Sequence, residues 1–339
     1  MTHLHDSRAT GTTGTGAGSR HPDHDTVRAA VAMAVRAPSV HNTQPWLWRV
    51  GDTTVHLYAD QSRRLPHTDP DERDLLLSCG AALHHLRVAA RGFGWDTRVH
   101  RLPNPADPDH LAAIEFRAAA PTEESVRMAR AIGMRRSDRR RFTSWEVPAG
   151  HLVKLSAAGA DNGVLVRDID SGPERFHLLS AFEQAARIHA NDFSYGAELS
   201  QWSGRHATSE GVPARNAVAA GDPTVRPFSN PGLSEAVIHD RDVTDHLVVL
   251  STAGDDRLSR LRAGEATSAV LLTATIAGLA TCPLTEPLEV SAIRDAIRTD
   301  VLDDSGYPQM IIRVGWAATS APEIPRTPRR SLADVVQPL

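Results

Sequence analysis

Apolar residues recur at helical spacing in some stretches of the chain and alternate with polar residues in others. Residues 25–37 carry them three and four positions apart, which predicts a helix. This helix should stop just before Pro38, because proline disfavours helical geometry in the preceding residue. Residues 46–60 alternate around residues 51–52, which predicts two strands joined by a tight turn.

The next elements repeat later in the chain. Residues 71–95 carry one apolar stripe, which predicts a helix ended by Gly92, and residues 111–117 read as a strand. A strand, an apolar helix broken by Gly278 and a final strand then follow over residues 245–252, 262–284 and 309–317. Aligning Gly92 with Gly278 brings the two series together, which predicts two copies of one α+β unit.

These patterns divide the chain into an N-terminal half, residues 23–130, and a C-terminal half, residues 131–339. Small residues cover the surface of the apolar helix in the second half, so we expect it to pack closely at the seam between the halves. Residues 1–22 are rich in Gly and Thr and are expected to form a flexible tail. Residues 191–235 are polar and aperiodic but contain aromatic residues, which favours a lid.

The composition is that of an ordinary globular protein, with 41% hydrophobic and 23% charged residues. A net charge of −4 gives no global field for nucleic acid or anionic membranes. No apolar run reaches the roughly 20 residues that cross a bilayer. Cys79 and Cys282 lie far apart in apolar runs, so we expect buried thiols and a cytoplasmic protein. Lys154 is the only lysine, which makes arginine clusters a weaker signal here.

The sequence "RAPSVHNTQPWLWRV", residues 36–50, places small hydrogen-bonding side chains between the first helix and the first strand. His41 either contacts a ligand or caps the loop. Trp46 and Trp48 fall on one face of the strand, where they either pack in the core or anchor the polar segment.

The sequence "RRSDRRRF", residues 135–142, gathers five guanidinium groups and a hydroxyl. Arginine makes bidentate contacts with phosphate oxygens, so Arg135, Ser137 and Arg139 suit a dianionic phosphate monoester. A solvated basic turn and an RNA-binding patch are the alternatives.

A second pair of arginines follows the last predicted strand. In "TPRRSLADVV", residues 327–336, Arg329 and Arg330 lie near the end of the chain. They either converge on the same phosphate as the first cluster or belong to a C-terminal arm.

Together, residues 36–46, residues 135–142, the segment 278–286 and the terminal Pro-Arg-Arg resemble the nitroreductase family of flavin enzymes. Their order in two fused halves is most similar to the Acg family of FMN-binding proteins from actinobacteria. The resemblance implies an α+β, nitroreductase-like fold with mixed or antiparallel sheets flanked by helices. Its two pseudo-symmetric halves would form an internal pseudo-dimer.

The resemblance also implies FMN as cofactor and NAD(P)H as transient electron donor. The phosphate would be bound by Arg135, Arg136, Ser137, Arg139, Arg329 and Arg330. The ring and ribityl chain would contact Pro38, Ser39, His41, Asn42 and Gln44. The loop formed by Pro283, Leu284, Thr285 and Glu286 would present a backbone N–H to flavin N5. Hydride transfer needs no side-chain acid or base, so no catalytic side chain is expected, and no metal motif is present.

Only one complementary pair of these motifs is present, because residues 21–25 and 182–196 differ from the family pattern where a second pair would lie. We therefore expect one FMN per chain, in a monomer or a weak homodimer. The leading hypothesis is an oxidoreductase that reduces a small nitro, quinone or similar conjugated acceptor, without nucleic-acid or membrane partners. A protein that stores, sequesters or senses FMN with little turnover is the alternative. An RNA binder is the third, and the net charge speaks against it.

Overall fold

The computed structural model describes residues 21–205, 208–235 and 245–339. All but the last two residues of the predicted tail therefore lie outside the described residues. None of the helices in the described ranges combines the length and the hydrophobicity that crossing a membrane requires.

The first part of the chain forms a helix, a hairpin, a long helix and a second strand pair. Its elements are α1 (His24–Ala34), β1 (Trp46–Val50), β2 (Thr54–Ala59), α2 (Arg73–Gly92), β3 (Trp95–Arg101), β4 (His110–Ala118) and α3 (Glu123–Met134). The Asp23 side chain accepts a hydrogen bond from the Thr26 N–H and begins α1. The tight turn of the hairpin is closed by a bond from the Gly51 N–H to the Thr54 carbonyl. The predicted opening elements are thus confirmed.

The second part repeats this series with an insertion. Its elements are α4 (Ala149–Ala160), β5 (Leu165–Ile169), α5 (Gly172–Ala190), α6 (Phe193–Gln201), β6 (Ser203–Arg205), β7 (Val212–Pro213), β8 (His246–Thr252), α7 (Arg257–Ile276), β9 (Ala280–Leu284), α8 (Ser291–Asp300), β10 (Tyr307–Gly315), α9 (Leu332–Val335) and β11 (Val336–Pro338).

The two large sheets have the same strand order. In the first, β1, β2, β4 and β3 are neighbours in that sequence, and every pair is antiparallel. In the second, β5, β8, β10 and β9 follow the same sequence with the same antiparallel pairing. Helix α1 packs on α2 as α4 packs on α7. The predicted α+β fold with two pseudo-symmetric halves is confirmed.

The seam between the halves is the contact of α2 with α7. A Cβ at Gly80 would lie 2.1 Å from the Leu261 carbonyl oxygen, and one at Gly264 would lie 2.1 Å from that of Leu77. Only glycine permits this backbone approach, so the predicted close packing of the buried helix is confirmed.

The segment after the seam helix differs from the prediction. The helix predicted over 262–284 ends at Ile276, and Gly278 adopts a φ of +79°, the left-handed geometry that terminates a helix. The last residues of that predicted range, Ala280–Leu284, instead form β9, which pairs with β10. The prediction was wrong here because a buried edge strand and the end of a buried helix have the same apolar composition.

The C-terminus crosses to the first half. Strand β11 adds in parallel to the outer edge of β1, with Trp48 opposite Val336. The first sheet therefore has five strands, and the second has four among the described residues. Trp46 and Trp48 are both 0% exposed, which confirms core packing for the pair. The boundary between residues 130 and 131 stays a prediction.

Candidate functional site

The polar segment after α1 adopts a strained backbone. His41, Asn42 and Gln44 have φ values of 46°, 56° and 54°, a region that L-residues other than asparagine seldom adopt. The Gln44 N–H donates to the Ser39 Oγ at 3.0 Å, which holds the turn. Strained backbone of this kind concentrates at functional sites.

Two adjoining cavities lie beside this turn. The larger, which we call the ring cavity, encloses about 920 Å³ including its open mouth. It is lined by residues of both halves, which include nine of the predicted site residues: Pro38, Ser39, His41, Ser137, Arg139, Pro283, Leu284, Thr285 and Glu286.

The smaller cavity, which we call the arginine cavity, encloses about 640 Å³. It shares four lining residues with the ring cavity, namely Pro38, Ser39, Ser137 and Arg139. None of its described lining residues is acidic. Six arginines line it, namely Arg36, Arg135, Arg136, Arg139, Arg326 and Arg329. Asn42 completes the predicted residues found here.

Several guanidinium groups of the arginine cavity are withdrawn from solvent without a carboxylate partner among the described residues. Burial and the charges of Arg135, Arg36 and Arg136 lower the pKa of Arg329 to about 9. Burial and the charges of Arg136 and Arg36 lower the pKa of Arg135 to about 10. The Nε atoms of Arg36, Arg135 and Arg329 have no hydrogen-bond partner among the described residues. The cavity is therefore a site for an anion.

The solvated-turn interpretation of residues 135–142 is wrong, because Arg135 and Arg140 are buried. Arg140 forms a bidentate pair with Asp138 at 2.9 Å, which neutralises that arginine. Arg135 has no such carboxylate and lines the cavity instead. The motif therefore contains one arginine with a structural role, Arg140, beside arginines that face the cavity.

Two predicted site residues, Gln44 and Arg330, line neither cavity. The Arg330 N–H donates to the Gln44 Oε1 at 2.8 Å, and the Gln44 Nε2 donates to the Ser209 carbonyl at 2.8 Å. The Arg330 guanidinium reaches the Asp60 carboxylate at 3.3 Å. These residues fasten the C-terminal segment and the region near Ser209 to the polar turn.

Asn42 is also committed to backbone contacts. Its Nδ2 donates to the Gly211 carbonyl at 3.1 Å and to the Pro328 carbonyl at 3.3 Å. The asparagine of the motif thus connects three segments that are distant in sequence.

Comparison with known proteins identifies the family of the chain. No family model matches the chain. A Mycobacterium tuberculosis protein with the provisional name NAD(P)H nitroreductase Rv3131 is 47% identical over 321 residues, or 93% of this chain and 92% of that protein. The provisional NAD(P)H nitroreductase acg of the same organism is 40% identical over 320 residues, or 92% of this chain and 95% of that protein. The chain belongs to the Acg-like nitroreductase family.

Solved structures give a more distant likeness. The FMN-dependent nitroreductase NfnB from Mycobacterium smegmatis, in complex with NADPH, is 16% identical and matches 63% of this chain and 99% of that one, with a TM-score of 0.39. A nitroreductase with bound FMN from Bacteroides fragilis is 16% identical and matches 60% and 95%, with a TM-score of 0.39.

In this Acg-like nitroreductase, one wall of the site comes from residues 208–235, which we call the cover segment. Thr224, Val225, Arg226 and Phe228 line the ring cavity. Val212 and Pro213 line the arginine cavity. This wall lies within the lid predicted over 191–235, of which residues 206–207 are outside the described residues. Helix α6 at the start of that range was not predicted.

Arg226 fastens the cover segment. Its Nη1 donates to the Tyr195 Oη at 2.8 Å, to a Glu289 carboxylate oxygen at 3.0 Å and to the His41 Nε2 at 3.2 Å. Its Nη2 donates to the Thr285 Oγ1 at 3.2 Å. Burial, with the charge of Arg226, lowers the pKa of His41 well below its usual value, so this histidine is neutral and accepts the bond.

The ring cavity also has an acidic side. Glu286 is buried, and burial acts to raise its pKa. The hydrogen bond from His189, at 3.4 Å, and the charge of Arg226 nevertheless hold the pKa of Glu286 below its usual value. It is therefore a carboxylate, and the cavity is lined by both cationic and acidic side chains.

Sequence reasoning missed several lining residues. Four of them are Asp74, Leu77, Ser78 and Ala81 of α2. Their spacing places them on one helical face, so Asp74 and Ser78 are polar positions within an apolar stripe. That interruption is a readable signal. No comparable sequence signal marks Arg226, because arginines are abundant throughout this chain.

Proposed function

We propose that this chain binds one FMN in the two adjoining cavities and is an NAD(P)H-dependent oxidoreductase. The names of its M. tuberculosis relatives support the nicotinamide donor and the nitroreductase class. When bound, FMN supplies hydride acceptance and electron transfer to a second compound. We propose a nitro, quinone or similar conjugated molecule as that acceptor.

The observation that carries the proposal is the arginine cavity beside the ring cavity. Arg135 and Arg329 are buried with Nε donors that have no partner among the described residues, as a phosphate site requires. The residues present fit the phosphate of FMN, with Ser137 and Arg139 at the junction of the cavities. Arg36 is added to the predicted phosphate residues on the same grounds.

The ring cavity would hold the isoalloxazine and part of the ribityl chain. Pro38, Ser39 and His41 would contact it from the first half. Residues 283–286 would contact it from the second half, with a backbone N–H directed to N5. The cover segment would exclude water from the ring. Arg226 would keep that segment closed, because its partners lie on three other parts of the chain.

A protein that stores or sequesters FMN is the second candidate function. The buried Arg226–Glu289 pair favours it, because a closed cover segment limits entry of NAD(P)H and of a bulky acceptor. In that case the protein would bind FMN tightly and show slow or no reduction by NAD(P)H.

The test begins with purified full-length protein. We expect a visible flavin spectrum and FMN release on denaturation, or uptake of added FMN by the colourless protein. Anaerobic NAD(P)H should bleach the flavin, and menadione or a nitroaromatic should restore it with steady turnover. Bound flavin without bleaching would favour storage. Failure to bind FMN would contradict both functions.

We further propose that the chain acts in the cytoplasm as a monomer. The pairing of its two halves supports the monomer, and a weak homodimer is the alternative. Cys79 and Cys282 are buried and unpaired, which suits a reducing compartment. Light scattering on a size-exclusion column, over a range of concentrations, tests the oligomeric state.

A further inference from the structure

Asp74 is a buried carboxyl group that faces the ring cavity without a hydrogen-bond donor. It lines that cavity and is 2% exposed. Neither carboxyl oxygen accepts a hydrogen bond from any described residue. Native structures seldom leave a buried polar group in this state, so the carboxyl is placed to meet a bound molecule.

The charges around Asp74 do not balance it. The Arg73 guanidinium approaches its Oδ1 at 2.7 Å, but the same guanidinium lies near the carboxyl of Asp69 and donates to the Gln309 carbonyl. One cation thus serves two buried carboxyl groups. Two other charged groups act on Asp74, the carboxylate of Glu289 and the guanidinium of Arg226.

The backbone determines which of the two carboxyl groups keeps its charge. The Asp69 oxygens accept the N–H groups of Asp74 and Leu75 at 2.9 and 2.8 Å, which stabilises an anion there. Asp74 receives no such bonds. Burial, with the charges of Asp69 and Glu289, raises the pKa of Asp74 well above its usual value, while Arg73 and Arg226 oppose this. Burial raises the pKa of Asp69 only to about 6.

We propose that Asp74 is a neutral carboxylic acid that donates its O–H to the electron acceptor bound beside the flavin ring in the ring cavity and supplies the proton for the reduction of that acceptor. The ligand's identity rests on the proposed function, but the protonation state of Asp74 does not. The acceptor class is a quinone or a similar carbonyl compound, whose oxygen takes a proton during reduction.

The step balances in atoms and electrons. When bound, FMN would pass the hydride of NAD(P)H to the quinone, and Asp74 would supply one proton. The O–H bond of Asp74 breaks, a new O–H bond forms on the acceptor, and the quinone becomes a hydroquinone. Water then returns a proton to the Asp74 carboxylate. General acids in enzymes typically contribute about 100- to 10,000-fold in rate.

The first test needs no flavin and uses infrared spectroscopy of the full-length protein at pH 7. We expect the carbonyl stretch of a protonated carboxyl, lost in Asp74→Asn and kept in Asp71→Asn. Asp71 is a matched control, because it lies three residues away in an exposed ion pair with Arg260. A wild-type spectrum unchanged by Asp74→Asn would overturn the proposal, whatever the ligand.

The second test uses the FMN-loaded protein with menadione. Asp74→Asn keeps the shape and an N–H donor. Because Asp74 lines the cavity proposed for the flavin ring, the Kd for FMN and the rate of bleaching by NAD(P)H are measured first for this variant, and kcat is then read at saturating FMN. The kcat for menadione should fall about 100-fold or more, and Asp74→Glu should restore part of it. An unchanged kcat would overturn the proton role. If Asp74→Asn does not fold, the wild-type protein is titrated instead. A carbonyl band that is present at pH 7 and lost at higher pH supports the proposal, and a spectrum without that band at pH 7 overturns it.

Discussion

Arg226 of the cover segment forms an ion pair with Glu289, which lies beyond β9 and is 1% exposed at its side chain. The pair joins an irregular segment to the rigid second half. Breaking a buried pair by removing one partner costs about 3–5 kcal/mol, because the remaining charge is left uncompensated. The stability of the cover segment therefore depends on this residue.

We expect Arg226→Ala to loosen the cover segment and to speed FMN release at least tenfold. The measurement is the return of flavin fluorescence after dilution, together with protease cleavage within residues 208–235. Arg215→Ala is the matched control, because Arg215 is an exposed arginine of the same segment. Equal release rates in the two variants would contradict a closing role for Arg226.

The arginine cavity predicts a ligand-selective loss of affinity. Hydrogen bonds to charged groups are worth about 1.5–3 kcal/mol each, so Arg135→Ala or Arg329→Ala should raise the Kd for FMN about 10- to 100-fold. Riboflavin, which lacks the phosphate, should bind these variants as it binds the wild type. Arg98→Ala, an exposed arginine on β3, controls for the loss of one charge. Equal losses for both ligands would place the phosphate elsewhere.

Inorganic phosphate should stabilise the flavin-free protein. An anion that binds only the folded state raises stability by mass action. It also relieves the mutual repulsion of Arg36, Arg135 and Arg329. We expect the Tm to rise with phosphate concentration and to rise less with chloride at equal ionic strength. A rise of the same size in Arg135→Ala would contradict the assignment.

The seam between the halves predicts a steric penalty. Gly80→Ala would force the α2 and α7 backbones apart, because its Cβ would meet the Leu261 carbonyl at 2.1 Å. Overpacking typically costs 1–3 kcal/mol, and a clash with backbone lies at or above that range. Urea unfolding measures this loss in the free energy of unfolding. Gly133→Ala, on a helix with open space at its Cβ, should instead stabilise by about 0.5–1 kcal/mol.

One histidine makes stability depend on pH. The hydrogen bond with Asp168, at 2.8 Å, raises the pKa of His246 although burial opposes it. The folded state therefore binds the proton more tightly, so this stability is present below pH 6.5 and lost as pH rises through the folded pKa. The pair is partly exposed, so we expect less than about 1 kcal/mol.

Urea midpoints between pH 5.5 and 8.5 test this dependence. Asp168→Asn should flatten the slope, whereas Asp52→Asn, which removes the same charge in the turn between β1 and β2, should leave it unchanged. A slope retained in Asp168→Asn would contradict the role of the pair.

The elements that could be predicted are those whose signal is local. The hairpin follows from alternation on both sides of residues 51–52, and α2 follows from one apolar stripe. Part of the arginine cavity could be predicted because four of its residues, Arg135, Arg136, Ser137 and Arg139, lie in one short motif. Each of these features depends on residues a few positions apart.

The sequence by itself determined the periodic helices and strands, the repeat and thirteen of the residues that line the two cavities, because side-chain period and motif spacing are properties of neighbouring residues. Only the tertiary structure decided that β11 joins β1, since three residues have no readable period. It alone decided that Gln44 meets Arg330 and that Arg226 and Asp74 face one cavity. Those relationships join residues far apart along the chain, and their energies come from burial and charge that exist only once the halves have closed on each other.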